Sequence, residues 1–141
     1  MTALDTNVLI AAHRAEHPMH VRSAERVHEL AEGRTPWGLA IFCVAEFLRV
    51  VTHPRVFAPP SPLDVACSFV DNLLESPSVR LLTPDEGYWQ TLRDVSITAG
   101  ASGNLVFDAA IAALCRDAGA LRLITMDRDF SHFEFLDVVQ P

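Results

Sequence analysis

The sequence predicts an α/β domain: a largely parallel central sheet of four to five strands flanked by helices on both faces, formed by residues 1–141 as one domain. Three observations carry this. Short apolar runs that end on a polar residue alternate with longer helical stretches, the pattern of strand–helix units. Hydrophobic residues make up 50% of the chain and charged residues 21%, ample apolar surface to offset the ordering entropy of folding. A length of 141 residues suits a single core and leaves no room for a catalytic module beside a separate DNA-binding one.

The first strand is read at Thr2–Asp5, with a helix directly after it. A second helix covers about Met19–Glu32, where Val21, Ala24, Val27, Leu30 and Ala31 share one face opposite charges, and Gly33 closes it as a C-cap. A short strand is read at Pro36–Leu39. Leu39–Thr52 is apolar nearly all round, the mark of a central helix, and Pro54 stops it. Ala58-Pro59-Pro60-Ser61-Pro62 is a stiff loop, and Ser61 is expected to cap a helix running to about Glu75. A strand at Val79–Leu82 leads to a helix opened by Pro84, Asp85 and Glu86 and ending near Gly100. Asn104–Gly119 is the last long helix, followed by strands at Leu121–Thr125 and Leu136–Val139. There is no internal repeat and no low-complexity segment.

Formal net charge is −7, from 18 carboxylates against 11 cations, and all 11 cations are arginine. An acidic chain is poorly suited to holding nucleic acid through a broad basic surface. The longest apolar run, Leu39–Ala45, falls far short of the roughly 20 residues of a membrane span, and Asp5 interrupts the first apolar stretch, so a soluble cytoplasmic protein without a secretory leader is expected. Cys43, Cys67 and Cys115 are odd in number, far apart and set among apolar neighbours, which reads as reduced core thiols.

Four carboxylates stand out. Asp5 and Asp127 each follow a strand, where parallel sheets present their ligand sites, although Asp5 would also serve as an N-cap and Asp127 as a turn residue. Glu46 has apolar residues three and four before it and four after it, so it is expected on a buried helical face needing a cation, either Arg49 or a divalent metal. Asp108 opens an otherwise apolar helix, where the macrodipole also favours an acid. As a set they match an all-oxygen pocket for Mg²⁺ or Mn²⁺, hard ions that take carboxylates and water and bind phosphate.

Leu4-Asp5-Thr6-Asn7-Val8-Leu9, the mid-chain Glu46, Asp108-Ala109-Ala110-Ile111-Ala112-Ala113 and Thr125-Met126-Asp127-Arg128-Asp129-Phe130 together resemble PIN-domain proteins, specifically VapC ribonuclease toxins of toxin–antitoxin pairs. The likeness covers essentially the whole chain, and Glu46 through Phe57 is similar to a signature of one large VapC subgroup. The resemblance implies a metal-dependent endoribonuclease with one or two Mg²⁺ or Mn²⁺ ions. It further implies transfer or ribosomal RNA as substrate, a homodimer and inhibition by a VapB-type antitoxin. By position, Asp5, Glu46, Asp108 and Asp127 match the family's catalytic and metal-binding acids. Asp129 matches a less regular fifth acid, Thr125 the hydroxyl residue near the site, and Asn7 a residue that orients Asp5. Two dications would bring −7 to −3 and make the pocket attractive to phosphate. Arg14, Arg49, Arg55 and Arg128, nearest the motifs in sequence, are the expected RNA contacts.

Other functions fit less well. His13-Arg14-Ala15-Glu16-His17 has the spacing of inverted zinc peptidases, but Pro18 follows at once and a solvated helix end, with His20 and His28 also exposed, is the plainer reading. Phosphatases of the haloacid-dehalogenase type and receiver domains use a lysine near the phosphoryl group, and the chain has none. A non-catalytic PIN module in protein interaction or repression would be expected to lack some of the four acids, and nucleases for structured DNA are usually longer and richer in acids.

Overall fold

The computed structural model describes residues 1–141. Five parallel strands form one sheet: β1 (Thr2–Leu4), β2 (Trp37–Ala40), β3 (Val79–Leu82), β4 (Arg122–Ile124) and β5 (Asp137–Val139), in the order β3-β2-β1-β4-β5. Thr2 pairs with Trp37 on one side and Arg122 on the other, so the strands are in step and their carboxyl ends share one edge. Six helices flank the sheet: α1 (Thr6–His13), α2 (His20–Glu32), α3 (Ile41–Val51), α4 (Leu63–Leu74), α5 (Tyr88–Thr98) and α6 (Leu105–Asp117).

Connectivity explains the two helical layers. From β1 the chain steps to β2 and then β3 in one direction, through α1–α2 and α3–α4. It then returns through α5–α6 to β4 on the far side of β1. Right-handed crossovers place helices of the outward and return paths on opposite faces. The strand order reverses between β1 and β4, and such a switch point opens a crevice beyond the strand ends. Asp5 follows β1 and Asp127 lies three residues beyond β4. The Asp5 amide still bonds to the Ile124 carbonyl at 3.1 Å, which holds these two strand ends together.

One core joins both layers, with Leu4, Leu9, Trp37, Leu39, Phe47, Val51, Ala112 and Leu123 fully or almost fully buried. Cys43 and Cys115 lie in it, Cys67 is half-buried on α4, and all three thiols are free. Gly33 does close α2, yet its φ of −71° is ordinary. Glycine is needed there because a Cβ would sit 2.8 Å from the Glu29 carbonyl oxygen.

Several sequence expectations are corrected. Val21 is 66% exposed, while Ser23 takes the buried place beside Val27 on α2. Leu39 belongs to β2, not to the helix that follows. Pro84, Asp85 and Glu86 do not open α5: the Asp85 side chain accepts from the Gly87 amide at 2.8 Å, a local turn that competes with helix and delays it to Tyr88. Ser61 is buried but does not cap α4. Its hydroxyl receives Arg14 Nη1 and pairs with His13 Nε2, both at 2.9 Å.

Candidate active site

The residue types in the switch-point crevice follow from local structure. Asp5 directly follows β1 and is the N-cap of α1, with Oδ1 accepting from the Thr6 amide at 2.7 Å. Its other oxygen, Oδ2, accepts from Asn7 Nδ2 at 2.7 Å and from the Thr125 hydroxyl at 2.6 Å. Thr125 in turn accepts from Asn7 Nδ2 at 3.0 Å and from the Asp127 amide at 2.9 Å. The Asn7 side-chain oxygen Oδ1 accepts from the Met126 amide at 3.1 Å. One network therefore ties the end of β1 to the segment after β4, and Thr125 makes its full complement of bonds. Cys43, its thiol held well above its usual pKa by burial, lies 3.9 Å from Asp5 Oδ1 as a weak donor.

Asp127 caps the 3-10 turn Arg128–His132 by accepting from the Asp129 amide at 2.9 Å. This is the bond that brings Asp129 alongside it. Asp108 reaches the same place from the first turn of α6, after a loop in which Gly100 and Gly103 take φ of +60° and +57°, conformations that side chains rarely adopt. Carboxylate oxygens of Asp108, Asp127 and Asp129 lie within 4.8 Å of one another. Asp5 and Glu46 stand outside that set. Asp5 is 5% exposed and accepts from Thr6, Asn7 and Thr125 as well as weakly from Cys43.

Glu46 is not buried, contrary to the sequence expectation. Phe42, Ala45, Glu46 and Arg49 form the solvent-facing stripe of α3, so the apolar residue four before Glu46 is itself exposed. Glu46 Oε2 accepts from the Thr6 hydroxyl at 3.1 Å and Oε1 pairs with Arg49 at 3.3 Å. The Thr6 link went unread because a hydroxyl inside the Asp-Thr-Asn run gives no sign of its partner 40 residues away.

The other predicted cations divide. Arg14 is a bracing residue: it pairs with Glu16, donates to Ser61 and to the Pro59 carbonyl, and lies over the Phe57 ring at 4.3 Å. Arg55 and Arg128 are exposed. The zinc-peptidase geometry does not form, because His13 Nε2 meets Ser61, Glu16 is held by Arg14 and His17 Nδ1 accepts from the Met19 amide. His28 is exposed, but His20 is half-buried with Nδ1 on the Ala11 carbonyl.

The acids of the crevice repel one another. Burial raises Asp5 to about 6, opposed by its bonds from Thr125 and Thr6 and reinforced by the charges of Glu46 and Asp127. Asp108 is also raised to about 6, first by desolvation and then by Asp127, Asp5, Asp129 and Glu46. Clustered oxygen donors whose charges repel fit Mg²⁺ or Mn²⁺, ions that prefer carboxylate to nitrogen or sulfur ligands.

The sequence pattern of the PIN domain matches residues 2–136. The chain belongs to the PIN-domain family. Within that family it groups with VapC proteins. The VapC ribonuclease Mb2897 of Mycobacterium bovis is 37% identical to this PIN domain over 136 residues, 96% of this chain and 92% of the relative. Ribonuclease VapC31 of Mycobacterium tuberculosis is 33% identical over 141 residues, covering 100% and 99% of the two chains. Two solved structures share the fold. VapC20 of M. tuberculosis, described as a sarcin-ricin loop cleaving toxin, has a TM-score of 0.70 at 19% identity and full coverage of both chains. VapBC2 from Rickettsia felis, bound to a DNA fragment from its promoter, has a TM-score of 0.66 at 20% identity, covering 99% of this PIN domain and 97% of that chain.

Thr125→Val tests the network. Valine leaves the Asp127 amide without an acceptor and removes a donor from Asp5, so divalent-metal affinity by calorimetry should fall about 10- to 100-fold with the fold retained. Unchanged affinity would show that the hydroxyl does not organise the acids.

A pH dependence follows as well. Asp5 has a folded pKa raised above its ordinary 3.8, so its contribution to stability is present below about 3.8 and is lost as pH rises through about 6. For this buried group the loss is about 3 kcal/mol; Asp108, partly solvated, contributes less. Metal binding favours the ionised forms, so Mg²⁺ should raise the melting temperature more at pH 7.5 than at pH 5. An equal increment at both pH values would contradict the role given to these acids.

Proposed function

We propose that this PIN domain is the toxin of a toxin–antitoxin pair, an endoribonuclease that hydrolyses RNA phosphodiester bonds with Mg²⁺ or Mn²⁺ in the crevice. The observation that carries the reading is the convergence of Asp108, Asp127 and Asp129 at the switch point, beside the braced Asp5. The ribonuclease names of its relatives support the same chemistry.

Asp108, Asp127 and Asp129 would hold the metal, with Asp5 and Glu46 adding negative charge around it. A bound ion supplies a water of lowered pKa and neutralises charge developing on the phosphate. The protein's own part is positional. Asn7 and Thr125 fix Asp5, the Asp129 amide fixes Asp127, and the glycine loop sets the entry of α6 and so the place of Asp108. Preorganised acids of this kind spare the site reorganisation during reaction.

Transfer or ribosomal RNA is the proposed substrate, cut to leave 5′-phosphate and 3′-hydroxyl ends. A VapB-type antitoxin is the proposed inhibitor, and the proposed assembly is a homodimer in the cytoplasm. No helix of the chain is long and apolar enough to cross a membrane. The exposed Trp89 and Ile97, eight residues apart on one stripe of α5, offer apolar area for a partner subunit. The test is to incubate the purified protein with total cellular RNA, with Mg²⁺ or with chelator, and map new 5′-phosphate ends. Discrete ends that appear only with metal support the reading; RNA left intact in both arms overturns it.

A further inference from the structure

Two phenylalanines lie close in sequence to acids of the crevice, one on α6 beside Asp108 and one on α3 a turn before Glu46. Phe107 precedes Asp108 in the first turn of α6 and is 76% exposed. Phe42 lies one turn before Glu46 on the solvent-facing stripe of α3 and is 36% exposed. Phe42 is braced from behind: its ring meets the Tyr88 ring at 6.1 Å, and the Tyr88 hydroxyl donates to the Ala110 carbonyl of α6 at 2.9 Å. The ring contact and the hydrogen bond together link α3, α5 and α6. Keeping a phenylalanine three-quarters exposed forgoes the stabilisation of burying it.

Charge says what these rings are for. The chain has no lysine and a net charge of −7, and of the arginines nearest the acids in sequence Arg49 is paired with Glu46, leaving the exposed Arg55 and Arg128. On single strands each phosphate contact adds only about 0.7 to the salt slope of binding, so one or two arginines hold RNA weakly. Beyond these arginines and the phosphate at the metal, uncharged contacts are the remaining source of affinity. Stacking of bases on aromatic faces supplies it, is tolerant of sequence, and requires a strand whose bases are splayed out.

We infer that Phe107, with Phe42 as a second platform, stacks the nucleobases flanking the phosphate held at the acids, so that the enzyme binds a single-stranded RNA segment by its bases more than by its backbone. This rests on the ribonuclease reading. Phe107 is a substrate-binding residue here, with no part in the bond-breaking step.

The experiment measures steady-state cleavage of an unstructured mixed-sequence RNA oligonucleotide in Mg²⁺ by the wild type and by Phe107→Ala, Phe107→Leu and Phe107→Trp. Light scattering at the assay concentration follows molar mass. Alanine and leucine should each raise KM roughly tenfold, about 1.4 kcal/mol, with kcat within about twofold of wild type, and tryptophan should restore KM. Molar mass should be the same for all four proteins. An unchanged KM in Phe107→Ala overturns the inference, and so does a wild-type KM in Phe107→Leu, which would mark an apolar contact without stacking. A loss of activity that follows a fall in molar mass also overturns it, by assigning Phe107 to a second copy of the chain. Failure of the wild type to cut either this oligonucleotide or total cellular RNA is a separate result that removes the ribonuclease reading and this inference with it, whereas cleavage of total RNA but not of the oligonucleotide overturns the inference alone.

Discussion

Asp127→Asn should lower RNA cleavage about 10³-fold, the equivalent of some 4 kcal/mol of transition-state stabilisation, while leaving the protein folded. The substitution is gentle to the structure because Asp127 is exposed, and an asparagine oxygen can still accept from the Asp129 amide as the cap of the 3-10 turn. It removes one anionic ligand from a cluster of three. It also relieves repulsion on Asp108, so the metal-free variant should melt no lower than the wild type. Asp5→Asn should also abolish cleavage but is a less clean probe of the site. Its new amide nitrogen would face Asn7 Nδ2 and Thr125, donor against donor, and cost stability of its own. Full activity in Asp127→Asn would remove the acid cluster from the mechanism.

The second large effect is on stability. Phe47 is fully buried on α3, 5.3 Å from the Phe69 ring of α4 and 5.3 Å from the His13 ring at the end of α1. Phe47→Ala removes the ring that joins three helices of one layer and leaves a cavity, costing about 3–5 kcal/mol. For a domain of this size that lowers the melting temperature by roughly 10–20 °C. Scanning calorimetry of the metal-free protein measures it. A drop of a few degrees would mean that the layer repacks around the lost ring.

Why the strands were legible and parts of the site were not comes down to range. The strands ending at Leu4, Leu82 and Ile124 announce themselves as short apolar runs closed by polar residues, and the alternation with helices implies the parallel sheet. Asp5 and Asp127 follow from that pattern, since a strand end marks the ligand edge. Glu46 shows the limit. Its apolar neighbours imply a buried face, but periodicity says which residues share a face and not whether another element covers it. Phe42 and Arg49 on the same stripe remain in solvent. Ser61 and Arg14 show the same limit for polar groups, because their partners lie 47 residues apart and helix-cap rules look only a few residues away. Asp129 became a full member of the acid cluster through a local bond to Asp127 that the Asp-x-Asp spacing permits but does not require.

The most direct test of the account is to map 5′-phosphate ends in total RNA after incubation with the wild type and with Asp127→Asn, each with Mg²⁺ and with chelator. Discrete new ends with wild type and Mg²⁺, absent from the other three reactions, are the predicted result. Equal cleavage with chelator, or by Asp127→Asn, would contradict it.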